Sequence, residues 1–402
     1  MQRQTSLPSQ QHQDDAAQLV AAHQRHPGAP WARALGLAVL ATVSMAAQAQ
    51  STGSSSVTLY GIVDASVGRF NGAAAGINAQ NSAISKVEGG SMSTSRWGLR
   101  GNEDLGGGLQ ASFEMSSFIR NDTGAAGRSD AIGAPVNVAA DPFFSRMAWV
   151  ALSHKDFGRV RLGNVTTLMF ANSIGSNAFG DGTIFAPVNL VTFVGSPLTG
   201  GTAWTNSVVY DSPNVAGFTG AAAYAASEAQ GGGNRALRVA YAQGPLATSL
   251  AWQSVKKNPQ TFADGTSPNN TRSWQWAGSY DFKAVKLWAH LGRIENKGTE
   301  AAPLDVSYRV WDLSATVPVG NGNILAGYAS RRTSDAVGPV PATAAGGNVQ
   351  RKVFTVGYDY WMSKRTDLYA MVMRDSTRTN TVGSGLLNAS GTSFAVGMRH
   401  AF

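Results

Sequence analysis

The feature that most limits what this chain can fold into is a rhythm that runs from residue 57 to the last residue. Segments of about eight to eleven residues alternate apolar and polar side chains, and the connections between them are short and long in turn. In "VTLYGIVDASV", Val57, Leu59, Val63, Ala65 and Val67 have one parity and Thr58, Tyr60, Asp64 and Ser66 the other. A strand sends successive side chains to opposite faces, so this stretch has one greasy face and one polar face. "SRWGLRG" and "LQASFEM" follow, joined by the Gly-rich "NEDLGGG". In the second, Leu109, Ala111, Phe113 and Met115 alternate with Gln110, Ser112 and Glu114. The pattern continues through "RMAWVAL", "RVRLGN", "TNSVVYDS" and "FTGAAAYA" to the closing "TSFAVGMRHAF", and predicts about 16 strands. Tight turns such as "PNVAG", "QGP", "VGNGN" and "WMSKR" take turns with longer Asn-, Ser- and Gly-rich connections. The chain even stops on the pattern: Phe394, Val396, Met398, His400 and Phe402 share one parity, where a soluble domain usually ends polar and frayed.

These signals predict an all-β fold, a 16-stranded antiparallel transmembrane β-barrel with short turns at one end and longer loops at the other. In hydrocarbon every backbone N–H and C=O must be paired within the protein, so strands cross only as a closed barrel without edges. The last strand therefore has to pair with the first, with its outward face against lipid. Aromatic residues near strand ends suit the boundary between bilayer and water, which nominates Tyr358 and Tyr360, Trp274 and Trp276, Tyr280 and Phe282, and Phe402 as girdle members. Charged residues make up 14% of the chain, below the soluble average of about 25%. A polytopic helical membrane protein is excluded, because no run of roughly 18 to 20 apolar residues is present. Cysteine is absent, which removes disulfides, thiolate metal sites and a cysteine nucleophile.

The N-terminal part predicts export. "ALGLAVLATVSMA" (34–46) is an apolar run preceded by Arg33, and Ala47-Gln48-Ala49 has the small-x-small form of a cleavage site. Residues 1–49 are thus expected to be a signal peptide with an unusually long polar n-region, and residues 50–402 the barrel. The whole chain has a formal charge of +8; the leader carries three basic and two acidic residues, so the remainder keeps about +7.

Between "RVRLGN" and "TNSVVYDS" lie about 40 residues, roughly 165–204, the longest stretch without a convincing partner strand. Phe170, Phe179, Phe185, Leu190 and Phe193 make it too apolar for a disordered segment. It is expected to pack against the barrel interior.

Taken in order, "SSVTLYGIVDASV", "TSRWGLRGNEDLGGGLQASFEM", "GRVRLGN", "NSVVYDSPNVAGFTGAAAY", "VGYDYWMSKRTDLYA" and the terminal "VGMRHAF" resemble the general diffusion porins of beta-proteobacterial outer membranes. The resemblance runs from about residue 55 to the end. It implies a homotrimer of barrels in the outer membrane, among lipid and lipopolysaccharide, each barrel with its own water-filled pore. It also implies that the third extracellular loop folds inward to narrow that pore. Small hydrophilic solutes and ions would cross by passive diffusion, without a cofactor. Phe402, with apolar residues such as Phe394 at alternate positions before it, resembles the signal read by the outer-membrane barrel assembly machinery.

By the same resemblance Arg96 and Arg146 match wall arginines that face the constriction loop. Arg100 shares the parity of Arg96, and Arg159 and Arg161 alternate with Val160 and Leu162, which makes all three inward candidates. Arg146 is awkward, because it has the parity of Ala148, Val150 and Leu152; either Met147, Trp149 and Ala151 face outward or a bulge intervenes. The loop offers one acid, Asp181. Where relatives often carry charges, this chain has Asn164, Ser116 and the uncharged pair Ala203 and Trp204. Arginine and lysine rings favour anions, so a weak to moderate anion preference is expected from Arg96, Arg100, Arg146 and Arg161 facing Asp181.

Other classes fit less well. An outer-membrane hydrolase would need a Ser/His or Asp/His constellation, and the part after the leader has only His154, in the "SHKDFG" turn, His290, and His400 in the lipid-facing parity. An adhesin or receptor role for the long loops is compatible with a pore. A nucleic-acid partner is not expected, since the basic residues are dispersed at alternate strand positions. His/Cys spacing for a metal is absent as well.

Overall fold

The computed structural model describes residues 55–71, 83–127, 142–193, 201–228, 233–256, 270–298, 303–333, 350–381 and 385–402. The expected signal peptide lies outside them. The strands are β1 (Ser56–Phe70), β2 (Ile84–Gly89), β3 (Arg96–Gly106), β4 (Leu109–Arg120), β5 (Ala125–Ala126), β6 (Met147–His154), β7 (Gly158–Thr166), β8 (Ala203–Asp211) and β9 (Phe218–Ala225). They continue as β10 (Asn234–Gln243), β11 (Leu246–Val255), β12 (Thr271–Asp281), β13 (Lys286–Gly298), β14 (Pro303–Val319), β15 (Gly322–Thr333), β16 (Gln350–Trp361), β17 (Thr366–Thr381) and β18 (Gly385–Ala401). Two short helices, α1 (Leu168–Ile174) and α2 (Pro187–Thr192), lie between β7 and β8.

All pairings are antiparallel, and β18 pairs with β1, which closes the barrel. The number of wall positions is 16, not 18, for two reasons. First, β2 and β3 share one position: β2 pairs with Ala65–Phe70 of β1, and Arg96–Asn102 of β3 with Ser56–Ile62. Second, β5 pairs only with Ile119 and Arg120 at the end of β4. Tight connections follow β3, β6, β8, β10, β12, β14 and β16, all on the end that holds Ser56 and Phe402, whereas most connections at the other end are longer; β13–β14 and β17–β18 are the exceptions, because their long strands carry the hairpin outward.

The polarity pattern sets the faces. Val57, Leu59, Val63 and Val67 of β1 are exposed, while Asp64 and Ser66 are buried. On β18 Phe394, Val396, Met398 and Phe402 are exposed and Ser393 and Ala395 buried. Closure reaches the final residue: Phe402 N donates to Gly61 O and Gly61 N to Phe402 O, each at 3.1 Å. Gly61 has the outward parity, and a Cβ there would lie 2.3 Å from the Phe402 ring, so the glycine makes room for the terminal aromatic. Phe394 and Phe402 are eight residues apart, about 27 Å along a strand, a span comparable to the apolar band of about 25 Å. Strand lengths exceed the expected crossing of about 9 to 11 residues where hairpins project past the band. The hairpin of β17 and β18 has strands of 16 and 17 residues.

Residues 168–192, with α1 and α2, form an inner segment packed against the wall of β10 to β12 and β14 to β16. Gly163 marks an irregularity in β7 just before it: its φ of +135° and the 2.1 Å that would separate a Cβ from Ala148 O admit only glycine, and the register shifts between Gly163 and Val165. Thr167 then caps α1, its Oγ1 accepting from Phe170 N at 3.2 Å. Asn172 of α1 is a hub on the inner wall. Its Nδ2 donates to Gln275 Oε1 at 3.0 Å, and its Oδ1 accepts from Arg238 Nε at 3.0 Å and Ser249 Oγ at 2.5 Å. Farther on, Phe179, Ile184, Phe185 and Leu190 form one buried apolar cluster with Tyr308, Leu325, Val353 and Met371 of the wall. Two guanidiniums hold the C-terminal carbonyls of α2, Arg351 Nη1 on Leu190 O at 2.7 Å and Arg331 Nη1 on Val191 O at 3.0 Å.

Candidate pore constriction

The inner segment covers the walls of β10 to β12 and of β14 to β16. Strands β3 and β7, with Arg146 just before β6, carry the arginines that face its other side. The register across them is a ladder of inward positions: Tyr60, Gly98 and Ser116 form one row, and Thr58, Arg100, Glu114, Trp149 and Gly163 the next.

At the top of this wall Arg96 Nη1 donates to Asp181 Oδ2 at 2.5 Å and to Thr94 O at 2.9 Å. Ser93 Oγ donates to the other oxygen of Asp181 at 2.9 Å, and itself accepts from Arg399 Nη1 at 3.0 Å. Ser93 belongs to the buried stretch Gly90–Ser95 between β2 and β3, which turns into the barrel. Asp64 pulls it there, its Oδ2 accepting from the backbone N of Met92 at 2.9 Å and of Ser93 at 2.7 Å. The second wall position is thus split because six residues of it leave the sheet and meet the inner segment.

Arg146 lies just before β6, with its backbone N bonded to Ser116 O at 3.1 Å. Its Nη1 reaches Glu114 Oε1 and Ser116 Oγ, both at 3.3 Å. The parity conflict resolves at the strand entry. Within β6 Val150 and Leu152 are exposed outward and Trp149 faces in, while Arg146, not yet in the regular pleat, turns inward. Tyr60 donates its hydroxyl to the same Glu114, so that carboxylate serves both. Arg100 points into the lumen with its guanidinium 5.1 Å from the Tyr60 ring centre.

Arg161 is inward as expected but does not join Asp181. It and Arg159 share Asp211 at the end of β8, Arg161 through Nε and Nη2 at 2.9 Å each and Arg159 through Nε at 3.1 Å and Nη2 at 3.0 Å. Both guanidiniums lean on Trp149, 5.7 and 5.9 Å from the ring centre. Sequence reasoning overlooked Asp211, Arg238 and the tucked stretch at Ser93, and its alternative with Met147, Trp149 and Ala151 outward is corrected, since Val150 and Leu152 take that face. Glu114 and Asp211 carried the inward parity of their strands; Ser93 carried no signal, since it stands in a Ser-rich run that reads as a turn.

Of the nominated aromatic residues, Tyr358 and Tyr360 lie near the end of β16, and Tyr280 and Phe282 at the end of β12. Tyr358 and Tyr360 have ring centres 6.4 Å apart beside the tight turn after β16, and Tyr358 Oη donates to Val319 O at 2.8 Å. Tyr280 and Phe282 pair similarly at 4.5 Å. Among the described residues no His/Asp/Glu group has the make-up of a metal site. The Nδ1 of the buried His290 is 3.1 Å from Asp312, and among the described residues its Nε2 has no hydrogen-bond partner.

Three comparisons bear on this arrangement. Residues 36–380 match the family model described as Gram-negative porin. The chain is 32% identical over 391 residues to outer membrane porin protein 32 of Delftia acidovorans, covering 92% of this chain and 99% of that one. It is 28% identical over 415 residues to an outer membrane porin protein of Bordetella pertussis, with 92% and 99% covered. Among solved structures, an anion-selective porin from Comamonas acidovorans superposes with a TM-score of 0.69 at 28% identity, covering 87% of this chain and all of that one.

Proposed function

The chain belongs to the Gram-negative porin family, passive diffusion channels of the outer membrane and not enzymes, and from that premise we propose that its pore carries small hydrophilic solutes with a weak to moderate preference for anions. One observation carries the preference. The wall opposite the inner segment presents Arg96, Arg100, Arg146 and Arg161, while the segment answers with the single acid Asp181. Asp181 neutralises Arg96, Glu114 neutralises Arg146, and Asp211 is divided between two arginines. Positive charge is left over, concentrated by low-dielectric walls. The 28%-identical porin from Comamonas acidovorans is described as anion-selective, which agrees.

The test is a planar-bilayer recording in a salt gradient. A reversal potential on the anion side is expected; one on the cation side would discard the preference and leave the fold untouched.

A homotrimer is part of the same reading. Outward residues of β1, β6 and β7 are aliphatic, with Val57, Leu59, Val150, Leu152 and Leu162 exposed, whereas β11, β12 and β14 expose Trp252, Trp274, Trp276 and Trp311. Tryptophan suits the lipid boundary, and a smooth aliphatic wall suits a second copy. Light scattering in detergent should give three chains per particle; a monomer would refute it. The barrel assembly machinery would read the outward row ending at Phe402, and lipid and lipopolysaccharide would surround the aromatic side.

A further inference from the structure

The outer face of the barrel carries its charge as unevenly as its aromatics. On the side away from the tight turns, each strand from β12 to β17 has a basic residue at an outward position: Arg272, Arg293, Arg309, Arg332, Lys352 and Arg374. Arg235 of β10 and Lys256, just past β11, extend the series. All eight stand seven to ten residues from the tight-turn end of their own strand. At a rise of about 3.3 Å per residue and a tilt of about 40°, that places them about 18 to 25 Å from the turns, at the far edge of an apolar band about 25 Å tall. The register agrees. Arg293, Arg309 and Arg332 share one row, while Lys352 and Arg374 step two and four residues toward the tight turns, the drift that tilted strands need to hold one height. Trp274, Trp311 and Phe354, each two residues nearer the turns than Arg272, Arg309 and Lys352, are exposed on the same face. Among the described residues the outward positions of β3, β4, β6, β7, β8, β9 and β18 carry no lysine or arginine, and β1 has Arg69 alone.

Like charges directly opposite across strands repel, yet Arg309 stands between Arg293 and Arg332. Neither Arg309 nor Arg332 makes an ion pair among the described residues. Glu295, 2.9 Å from Arg293 Nε, is the one acid among the described side chains on this stretch of the outer face. Such a row needs anions from outside the chain. We infer that it is a docking belt for the phosphate groups of outer-leaflet lipopolysaccharide, confined to the aromatic side of the barrel. A guanidinium fork matches phosphate oxygens, and its stem can lie along the apolar wall. Adjacent strands are about 4.8 Å apart, so two neighbouring forks can close on one phosphate. Arg374 is already set in place, its Nη1 donating to Thr392 Oγ1 at 2.9 Å and its Nη2 to Ser390 Oγ. The aliphatic side, where the trimer reading seats a second copy, lacks the belt because lipid would be displaced there. The inference rests on the outer-membrane reading of the barrel, with the long loops outside, and not on ion selection in the pore.

The test titrates lipid A carrying two phosphates, and the same lipid stripped of phosphate, into the full-length protein in nonionic detergent, with bound lipid counted by native mass spectrometry. Wild type should retain the phosphorylated form, release it as salt is raised, and ignore the stripped form. A double variant, Arg309→Gln with Arg332→Gln, should raise the half-saturating concentration about tenfold or more, while Arg69→Gln should leave it within about twofold. Neither variant breaks an ion pair among the described residues, so both should keep the folded, heat-modifiable band and the wild-type conductance. Equal retention of the two lipids overturns the belt, and so do equal losses in the two variants. A double variant that keeps its lipid but changes the number of chains per particle makes this face a contact between copies, and overturns the belt as well. A folded barrel that retains the phosphorylated lipid yet passes no ions supports the belt and sinks the channel reading.

Discussion

Phe179 of the inner segment lies directly over Gly327 of β15. A Cβ at residue 327 would come 2.7 Å from Phe179 Cε2 and 3.2 Å from Pro187 Cγ. The wall is hollowed at one glycine to receive one aromatic ring. The contact seats the segment from its apolar side, while Asn172 seats it from its polar side.

Gly327→Leu should therefore unseat the segment without opening the barrel. Overpacking of this kind costs about 1–3 kcal/mol, and here moving the segment relieves it more easily than moving a hydrogen-bonded strand. The expected outcome is a changed, noisier conductance step and faster entry of oligosaccharides in liposome swelling. Unchanged permeability would show that the segment holds without Phe179.

Asn172→Ala removes a hub and leaves Arg238, Ser249 and Gln275 without that partner. An unsatisfied buried polar group costs about 1–3 kcal/mol. Thermal unfolding in detergent should fall by several degrees, and open-channel noise should rise. A variant equal to wild type in both would mean that water replaces the amide at no cost.

The charges at the constriction should act in opposite directions. Asp181→Asn frees Arg96 from its acid at 2.5 Å and should move the reversal potential further to the anion side. Arg146→Gln leaves Glu114 with Tyr60 alone and should move it toward cations. Reversal potentials that shift together would place ion selection elsewhere.

At the seam, Gly61→Val should interfere with closure, because its side chain would enter the space of the Phe402 ring, 2.3 Å away, and meet Arg96 O at 2.7 Å. Deletion of Phe402 removes the two reciprocal 3.1 Å bonds to Gly61. Both variants should give less of the heat-modifiable folded band on unheated gels. Wild-type yields would disprove a role for the last residue in closing the barrel.

Asp375→Ala should destabilise more than any exposed change. Arg351 holds Asp375 through Nη2 at 2.9 Å and Leu190 O through Nη1 at 2.7 Å, and both side chains of the pair are nearly buried. Removing one partner of a buried pair costs about 3–5 kcal/mol, read here as a lower denaturation midpoint. A loss below about 1 kcal/mol, the range of exposed pairs, would mean that solvent reaches Arg351.

By itself the sequence determined the barrel. The period of two separates the faces of the wall strands, most connections are short at one end and longer at the other because the two ends of the barrel differ, and the parity running to Phe402 requires a lipid face and a closing partner. These are local properties, so reading along the chain recovers them, and the inward parity of Arg96, Arg100, Arg159 and Arg161 came with them. Only the tertiary structure decided which charges meet. Arg161 could have faced Asp181 on parity alone, yet Asp211, 50 residues away in sequence and adjacent across β7 and β8, takes it. Arg146 turns inward because it stands outside the regular pleat, and Ser93 reaches Asp181 because Asp64 draws six residues off the sheet. Alternation is written in each strand, but the partner of an inward side chain depends on barrel curvature and on where a long connection comes to rest. Those are set by packing between residues far apart in the chain, which no local period encodes.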